Sequence, residues 1–580
     1  MTQSTPARDG ETVTTAPVSH TFSLLAPHND VAVLIGSWDN WRQHPMEKGE
    51  DRIFRVTLDL PEGTHQYRLR VVSKSWFFPG EWREMADPWA RAVARGTVAG
   101  AAEATDCAAI VVRDGTVIFE GEAYVWEHDD APLPPNDMLV LYEIHVGDFS
   151  GGDGDDGKGR YADVIAKLPY LVDLGITAIE LMPVQETAGD YWGYLPTYFY
   201  APRAAYGSHT DLKRLIDACH GQGIRVILDQ VTNHAGSECP LAHIDHDYWF
   251  YHETSDDLQY GPKFNYEFHD DARGEYPARA FMLGALQYWV EEYHLDGIRF
   301  DATRIMGNMD FLREASAAIW HKEGGIKPFV RIAEHLPLDL AVVEDGGPMD
   351  AAWFVNFAHQ LASTLTGQPR EGNTPDDWDG LMEALDPRRA GFTSSQHLVR
   401  YLASHDEERL LHDIRAAGID GEDAMRRMHF AVTLLLTGYG LPLLYAGEEF
   451  GVDTERVIGT NKLAWSRLGE PEGSGFHDHY RHLTWLRREH PALRGDTLDL
   501  FHEDPEAWVV AYTRWDESGD RVVTIANCSP NSHGPYNLPG WPTDGAWRDV
   551  LTDDVFDVHA QTLVTTLGPW QTRVFLRADG

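Results

Sequence analysis

GIRFDATR (297–304) decides the fold. Ile298 and Phe300 alternate there with Arg299 and Asp301, so the period of two of a strand sets Arg299 and Asp301 on one face. Three further apolar runs end the same way. RVILDQVTNH (225–234) carries Asp229, Asn233 and His234. FVRIAEHL (329–336) carries Glu334, and VRYLASHDEE (399–408) carries His405 and Asp406. Outward from these, eight short apolar runs read as strands: LVLYEIHV (139–146), ITAIELMPV (176–184), RVILDQV (225–231), GIRFDA (297–302), FVRIAEH (329–335), AAWFVNF (351–357), LVRYLAS (398–404) and PLLYAGEE (442–449). Amphipathic stretches with i, i+3, i+4 apolar spacing lie between most of them, as in YADVIAKLPYLVDLG (161–175) and DLKRLIDACHGQG (211–223). Eight βα units across residues 138–490 predict an α/β protein with a (β/α)8 TIM barrel. In such a barrel the catalytic groups come from the C-terminal ends of different strands. Carboxylates gathered there, with an Arg two residues before one of them, suit the breaking of an acetal. That chemistry needs one anion, one proton donor and neighbours that set their charges.

The longest insertion, about 232–278, is rich in His, Asp and aromatics and reads as a small excursion rather than a helix. On either side of the barrel the pattern changes to period two. Residues 17–130 contain HTFSLL, VAVLIG, FRVTLDL, HQYRLRVV and AAIVVRD, and residues 491–580 contain AWVVAYTRW, RVVTIANCS and QTRVFLRA. Both predict β-sandwiches, one N-terminal and one C-terminal. Residues 1–16 read as a polar tail. APLPPND (131–137) reads as a stiff linker. GGDGDDGKGR (151–160) reads as a solvated acidic loop. The density of Trp38, Trp41, Trp76, Phe77, Trp82 and Trp89 in the first sandwich has two readings, sandwich core and sugar-stacking platform.

The 48 basic and 91 acidic residues give a net charge of −43. That excess argues against nucleic acid and anionic membranes, which need a cationic face, and leaves neutral polymers unrepelled. No run approaches the ~18 apolar residues of a membrane span, and MTQSTPARDGETVTTAPVSH has no apolar leader, which predicts a cytoplasmic protein. Cys107, Cys219, Cys239 and Cys528 have no CxxC spacing and are expected to be free thiols.

The four barrel motifs, with LGITAIELMPV (174–184), YWGYLPTYFYAPRAAYGS (191–208) and PLLYAGEEFG (442–451), resemble the α-amylase superfamily of retaining glycoside hydrolases and transglycosidases. The resemblance extends to an N-terminal starch-binding-like module of the kind in branching enzymes, isoamylases and trehalohydrolases. It implies that Asp301 is the nucleophile, Glu334 the general acid/base and Asp406 the third carboxylate that grips sugar hydroxyls. It implies that His234 and His405 bond the sugar being cleaved, that Tyr194 stacks under it, and that Asp229 supports the site or contacts Arg299 or the sugar. The Arg299 charge is expected to keep Asp301 ionised. Asn233 matches a position that binds calcium in many amylases, whereas members with this N-terminal module often lack the ion. No organic cofactor is implied and calcium stays open.

The implied partner is an α-glucan polysaccharide or oligosaccharide. The family contains hydrolases and transferases with one catalytic trio, so the outcome rests on loops and acceptor sites. His335 after Glu334, and FDATR, depart from the branching-enzyme pattern. FNYE (264–267) and the N-terminal module agree with it. The sequence leans to amylase-type hydrolysis of α-1,4 bonds. The alternatives are a 1,4-α-glucan branching enzyme, then a debranching enzyme or a maltooligosyltrehalose trehalohydrolase. A catalytically silent glucan-binding protein would need a lost catalytic group, and all three are present.

Overall fold

The computed structural model describes residues 16–99, 103–119, 121–149, 159–189, 192–252, 260–320, 327–344, 346–459 and 461–578. The tail at 1–15 and most of the 151–160 loop lie outside them. All eight apolar runs become parallel strands of one closed barrel. They are β1 (Leu141–Ile144), β2 (Ala178–Leu181), β3 (Arg225–Gln230), β4 (Gly297–Phe300), β5 (Val330–Ala333), β6 (Ala351–Trp353), β7 (Leu398–Tyr401) and β8 (Leu441–Tyr445). β8 closes on β1 with Leu141 opposite Leu443. Gly297 opens β4 because a Cβ there would lie 2.6 Å from the Val330 carbonyl oxygen on β5.

The barrel interior is a layer of apolar side chains that includes Leu141, Ala178, Ile227, Ile332, Trp353, Tyr401 and Leu443. The alternate residues, among them Tyr142, Ile179, Leu228, Ile298 and Phe300, pack outward against the helices. Period two then fixes what comes next on the inner face. Leu141 is followed by Glu143, Ala178 by Glu180, Ile227 by Asp229, Arg299 by Asp301 and Ile332 by Glu334. The change from apolar to charged along this face makes one end of the barrel a packed plug and the other a site.

Helices α1 (Tyr161–Leu174), α2 (His209–Gly221), α3 (Pro240–Trp249), α4 (Pro277–Tyr293), α5 (Met309–Trp320), α6 (Val355–Thr366), α7 (Gly421–Thr437) and α8 (Pro471–Glu489) supply most of the outer ring. Two expectations need correction. The insertion after β3 does contain a helix, α3. Pro240 starts it, and Leu241, Ile244, Tyr248 and Trp249 are buried, so tertiary packing overrides a His- and Asp-rich sequence. Between β5 and β6 the described residues hold only a single 3-10 turn, Leu340–Val342. That connection contains Pro337, Pro348 and the Gly346–Gly347 pair, which break a helix.

The N-terminal region forms two antiparallel sheets, of three and seven strands. Its core, with Phe22, Leu24, Leu34, Leu69, Val71 and Ile110, continues into Tyr198, Ala201 and Ile244 of the barrel region. The Asn29 amide donates to the Ile244 carbonyl at 3.1 Å, and Ser73 Oγ donates to that of His243 at 2.7 Å. Trp38 stacks on Phe22, and Trp89 meets Trp249 and Phe281 edge-on, so these two serve packing. Trp41 packs against a small core of Val33, Ile35, Val98 and Cys107. Trp76, Phe77 and Trp82 are exposed. The Pro-rich linker is held down rather than free, since Arg225 donates to the Pro134 carbonyl and to Asn136 Oδ1. All four cysteines are buried free thiols. No helix among the described residues is long and apolar enough to cross a membrane.

The C-terminal region pairs a six-stranded sheet with a two-stranded one around Val509, Ile525, Trp541, Trp547 and Phe575. Its seam with the barrel is built on arginine. Arg514, fully buried, donates to the carbonyls of Gly438, Gly495 and Thr497. Arg487 on α8 donates to Leu436, Gly438 and Gly440, and Arg400 on β7 donates to Tyr439 and Leu434. Arg514→Ala leaves three carbonyls without this donor at the seam. We expect it to cost about 3 kcal/mol or more. Urea unfolding followed by tryptophan fluorescence checks this, with exposed Arg548→Ala as the control that leaves the midpoint in place.

Candidate active site

Every carboxylate singled out in the sequence converges on one end of the barrel. A cleft of ≈ 670 Å³, including its open mouth, is lined by Asp301, Glu334, Asp406, His234, His405 and Tyr194, with Trp192, Asn233, Tyr260, Ala302, Ile305 and Arg456. Asp229 and Arg299 are not on its wall. They lie beneath it, 1% and 0% exposed, and support the residues above.

Arg299 is the centre of the charge network. Its Nη1 donates to Asp229 Oδ2 at 2.8 Å and to Asp301 Oδ1 at 3.0 Å, and its Nη2 donates to Glu334 Oε2 at 3.0 Å. The guanidinium lies 4.3 Å from the ring of buried Trp353, which blocks it from below. Asp301 and Glu334 are therefore held by one cation, on neighbouring strands. After Asp301 the chain turns through Ala302 in the left-handed region, φ 49° and ψ 38°. A non-glycine residue there carries strain, which the surroundings must hold. The turn aims the Ala302 N–H at Glu334 Oε2, 2.9 Å away. Thr303 Oγ1 donates to the Glu334 carbonyl at 2.6 Å, so the two catalytic candidates are tied by both main chain and side chain.

The sequence put Arg299 in the role of keeping Asp301 ionised. The structure gives Arg299 that direction and sets opposing effects beside it. Burial and the Glu334 charge push the Asp301 carboxyl well above the usual carboxylate range, and Arg299 only partly offsets them. That offset is shared, because one guanidinium serves three carboxylates. Burial likewise raises Asp229 against the pull of Arg299. Such a cluster titrates as a unit, so a proton belongs to the group rather than to one residue.

The two histidines behave oppositely. His234 Nε2 donates to the Tyr194 carbonyl at 2.8 Å, and burial lowers the ring to about 4, so it is neutral. Burial alone would also neutralise His405, but the charges of Asp406 and Glu143 outweigh it and raise the ring to about 9. His405 Nδ1 meets Glu143 Oε1 at 2.7 Å, and its Nε2 lies 3.3 Å from Asp406 Oδ2. Tyr194 stacks on His405 at 4.8 Å and donates its hydroxyl to Asp229 Oδ2 at 2.6 Å. One face of the Tyr194 ring is thus already covered. Trp192 (φ 48°) and Gly193 (φ 98°) bring it there, and a Cβ at position 193 would lie 2.5 Å from the Pro183 carbonyl oxygen.

Asn233 stands on the cleft wall with its Oδ1 unpartnered, but among the described residues no three His, Cys, Asp or Glu side chains are grouped to hold an ion. Sequence reasoning missed Glu143, Trp192, Tyr260, Ile305 and Arg456. Glu143 carried a signal, an acid on the inner face of the β1 run. Arg456 carried none, because it reaches the cleft from a long loop after β8, where its Nε donates to the His405 carbonyl at 2.6 Å.

With this geometry in hand, the comparisons converge. Residues 143–244 match the alpha amylase catalytic domain, residues 10–90 match carbohydrate-binding module 48 (isoamylase N-terminal domain), and residues 501–577 match the alpha amylase C-terminal all-beta domain. Three regions of the chain thus resemble parts of α-amylase superfamily proteins. It is 29% identical to a 1,4-alpha-glucan branching enzyme of Pseudomonas putida, over 94% of this chain and 76% of the relative. It is 27% identical to a second branching enzyme, from Xanthomonas campestris pv. campestris, over 96% and 80%. Among solved structures, an Anoxybacillus sp. LM18-11 pullulanase complexed with maltotetraose superposes with a TM-score of 0.78 at 21% identity, covering 99% of this chain and 88% of that one. That last likeness speaks to fold alone.

Proposed function

We propose that this protein is a retaining α-glucan enzyme that cleaves α-1,4-glucosidic bonds and passes the released chain to a glucan hydroxyl, the branching reaction. The observation that carries the chemistry is the shared grip of Arg299 on Asp301 and Glu334. Retention requires a nucleophile and an acid side by side, one ionised and one protonated. Glu334 Oε2 already receives two N–H groups, from Arg299 and Ala302, which leaves Oε1 as the oxygen for a transferable proton. Asp301 attacks the anomeric carbon, Glu334 protonates the departing oxygen, and a glycosyl ester forms on Asp301. Glu334 then takes the proton of the incoming hydroxyl, and that oxygen displaces Asp301. Asp406 and protonated His405 bond the sugar hydroxyls, and His234, locked as a donor to Tyr194, keeps its other nitrogen as an acceptor, approached at 3.4 Å by the Asn233 amide.

The sequence leaned to hydrolysis. The branching alternative has the better support, from the relatives that span almost the whole chain. Hydrolysis remains the second reading, favoured by His335 at the position where many branching enzymes carry another acid. Amylose incubated with the enzyme, followed by reducing ends and iodine colour together and then debranched, separates them. Transfer is expected to fade the colour with flat reducing ends and to release new chains only after debranching. Rising reducing ends in step with the fading would overturn transfer in favour of hydrolysis.

A further inference from the structure

Glu143 is an acid on the inner face of β1, 1% exposed and off the cleft wall, and the mechanism above gives it no work. Both of its side-chain oxygens meet His405. Oε1 lies 2.7 Å from His405 Nδ1, and Oε2 accepts the His405 main-chain N–H at 3.0 Å. We propose that Glu143 is a positioning residue for the reaction: by accepting the Nδ1–H and the main-chain N–H of His405 together, it fixes the ring's orientation and commits Nε2–H to the cleft beside Asp406. The inference rests on the catalytic reading above.

The surroundings leave no other group placed for this task. The charged and titratable groups facing His405 are Asp406 beside it, Glu143 on β1, Glu180 on β2, Asp229 on β3 and Arg299 on β4. Glu180 sits beside Glu143 in register across β1 and β2. Neither of its oxygens has a hydrogen-bond partner, so it makes no bond to the ring, and burial with the Glu143 charge pushes it well above the carboxylate range. Asp229 is engaged by Arg299 and Tyr194. Arg299 repels a second positive charge. Arg456 donates to the His405 carbonyl and lies 3.7 Å from Asp406 Oδ1, the Tyr194 hydroxyl stands 3.5 Å from Nδ1 but gives its proton to Asp229, and Trp192 and Trp353 supply ring contacts. An imidazolium in this pocket therefore depends on Asp406 for one nitrogen and Glu143 for the other. A histidine whose second nitrogen is bound by a carboxylate keeps its tautomer and direction, and at metal-bound histidines the loss of such a partner costs about 10–100-fold, which sets the scale expected here.

Glu143→Gln keeps the shape but turns one acceptor into an NH2 donor facing an N–H. Turnover on amylose is expected to fall about 10–100-fold. The loss should deepen as pH rises. The ring now releases its proton only near about 9. Without Glu143 that pKa falls, so the fraction of His405 still protonated drops at lower pH than in the parent. The ratio of variant to parent activity should thus decline from about pH 6 to about pH 9. A merely structural defect lowers the ratio equally at every pH. Glu143→Asp, which keeps the charge, is expected to restore the parent profile in part, and carries the test if the Gln variant does not fold. In a His405→Asn background, Glu143→Gln should cost little more.

The readout independent of turnover is NMR of enzyme labelled at histidine Cε1, with His405→Asn assigning the signal. His405 should titrate at clearly lower pH in Glu143→Gln. An unchanged His405 titration with a flat activity ratio would overturn the proposal. An inactive parent with a shifted His405 titration would sink the glucan reading and leave the hold of Glu143 on His405 standing.

Discussion

Asp301→Asn is expected to lower turnover on amylose roughly 10³-fold or more while leaving glucan affinity within about threefold. The amide keeps the volume and one acceptor for Arg299 Nη1, so the cleft survives, but it cannot form the glycosyl ester. Glu334→Gln should fail differently. With an α-glucosyl fluoride as donor, whose leaving group needs no protonation, the first step proceeds. The second stalls for want of a base, and the ester accumulates. Mass spectrometry of the protease-released peptide around 297–304 would then find a glycosyl group on Asp301. Full turnover by Asp301→Asn, measured with gel-retardation of the same sample in amylopectin, would remove Asp301 from the chemistry altogether.

Arg299→Met should have the largest effect on stability. Arg299 is fully buried, and its departure leaves Asp229, Asp301 and Glu334 facing one another without a cation. Removing one partner of a buried pair typically costs about 3–5 kcal/mol, because the remaining charge stays out of water. Here the carboxyls have an escape: they take up protons. The variant is therefore expected to unfold at a lower denaturant concentration near neutral pH and to recover part of that loss as pH falls toward 5, the reverse of ordinary acid sensitivity. Activity should be lost at every pH, since a cluster that is protonated to survive no longer holds an ionised nucleophile. Urea midpoints at several pH values check this. A midpoint equal to that of the parent would mean that Arg299 is not the keystone of the cluster.

Much of this was legible in the sequence for one reason. Parallel barrel strands are buried on both faces, so they read as nearly continuous apolar runs, and a charged residue within such a run stands out. Asp229, Arg299, Asp301 and Glu334 were visible on that basis, as were all eight strands. Helix α3 was not, because its apolar residues are diluted by His243, Asp245, His246 and Asp247, and contacts with both the barrel core and the N-terminal sandwich make its buried face definite. Tyr260 and Arg456 were not, because loops bring them to the cleft from distant parts of the chain, and Ile305 was not, because it sits on a single helical turn, Thr303–Met306, just past Asp301. The pull of Arg299 on Asp301 was legible because adjacency is visible in sequence, but the burial of Asp301 and the sharing of one guanidinium with Asp229 and Glu334 were not.

The arginine seam between barrel and C-terminal sandwich has a consequence for where this protein can work. A guanidinium donating to main-chain carbonyls has no carboxylate partner for acid to protonate, and counter-ions weaken it far less than an exposed ion pair. The surface, at a net −43, responds to both. Brine quiets its self-repulsion and acid discharges it, while the bonds of Arg400, Arg487 and Arg514 to the 434–440 carbonyls stay the same. A molar of added salt or a fall of several pH units is therefore expected to leave in place the hinge pin that holds the β7 and β8 ends of the barrel.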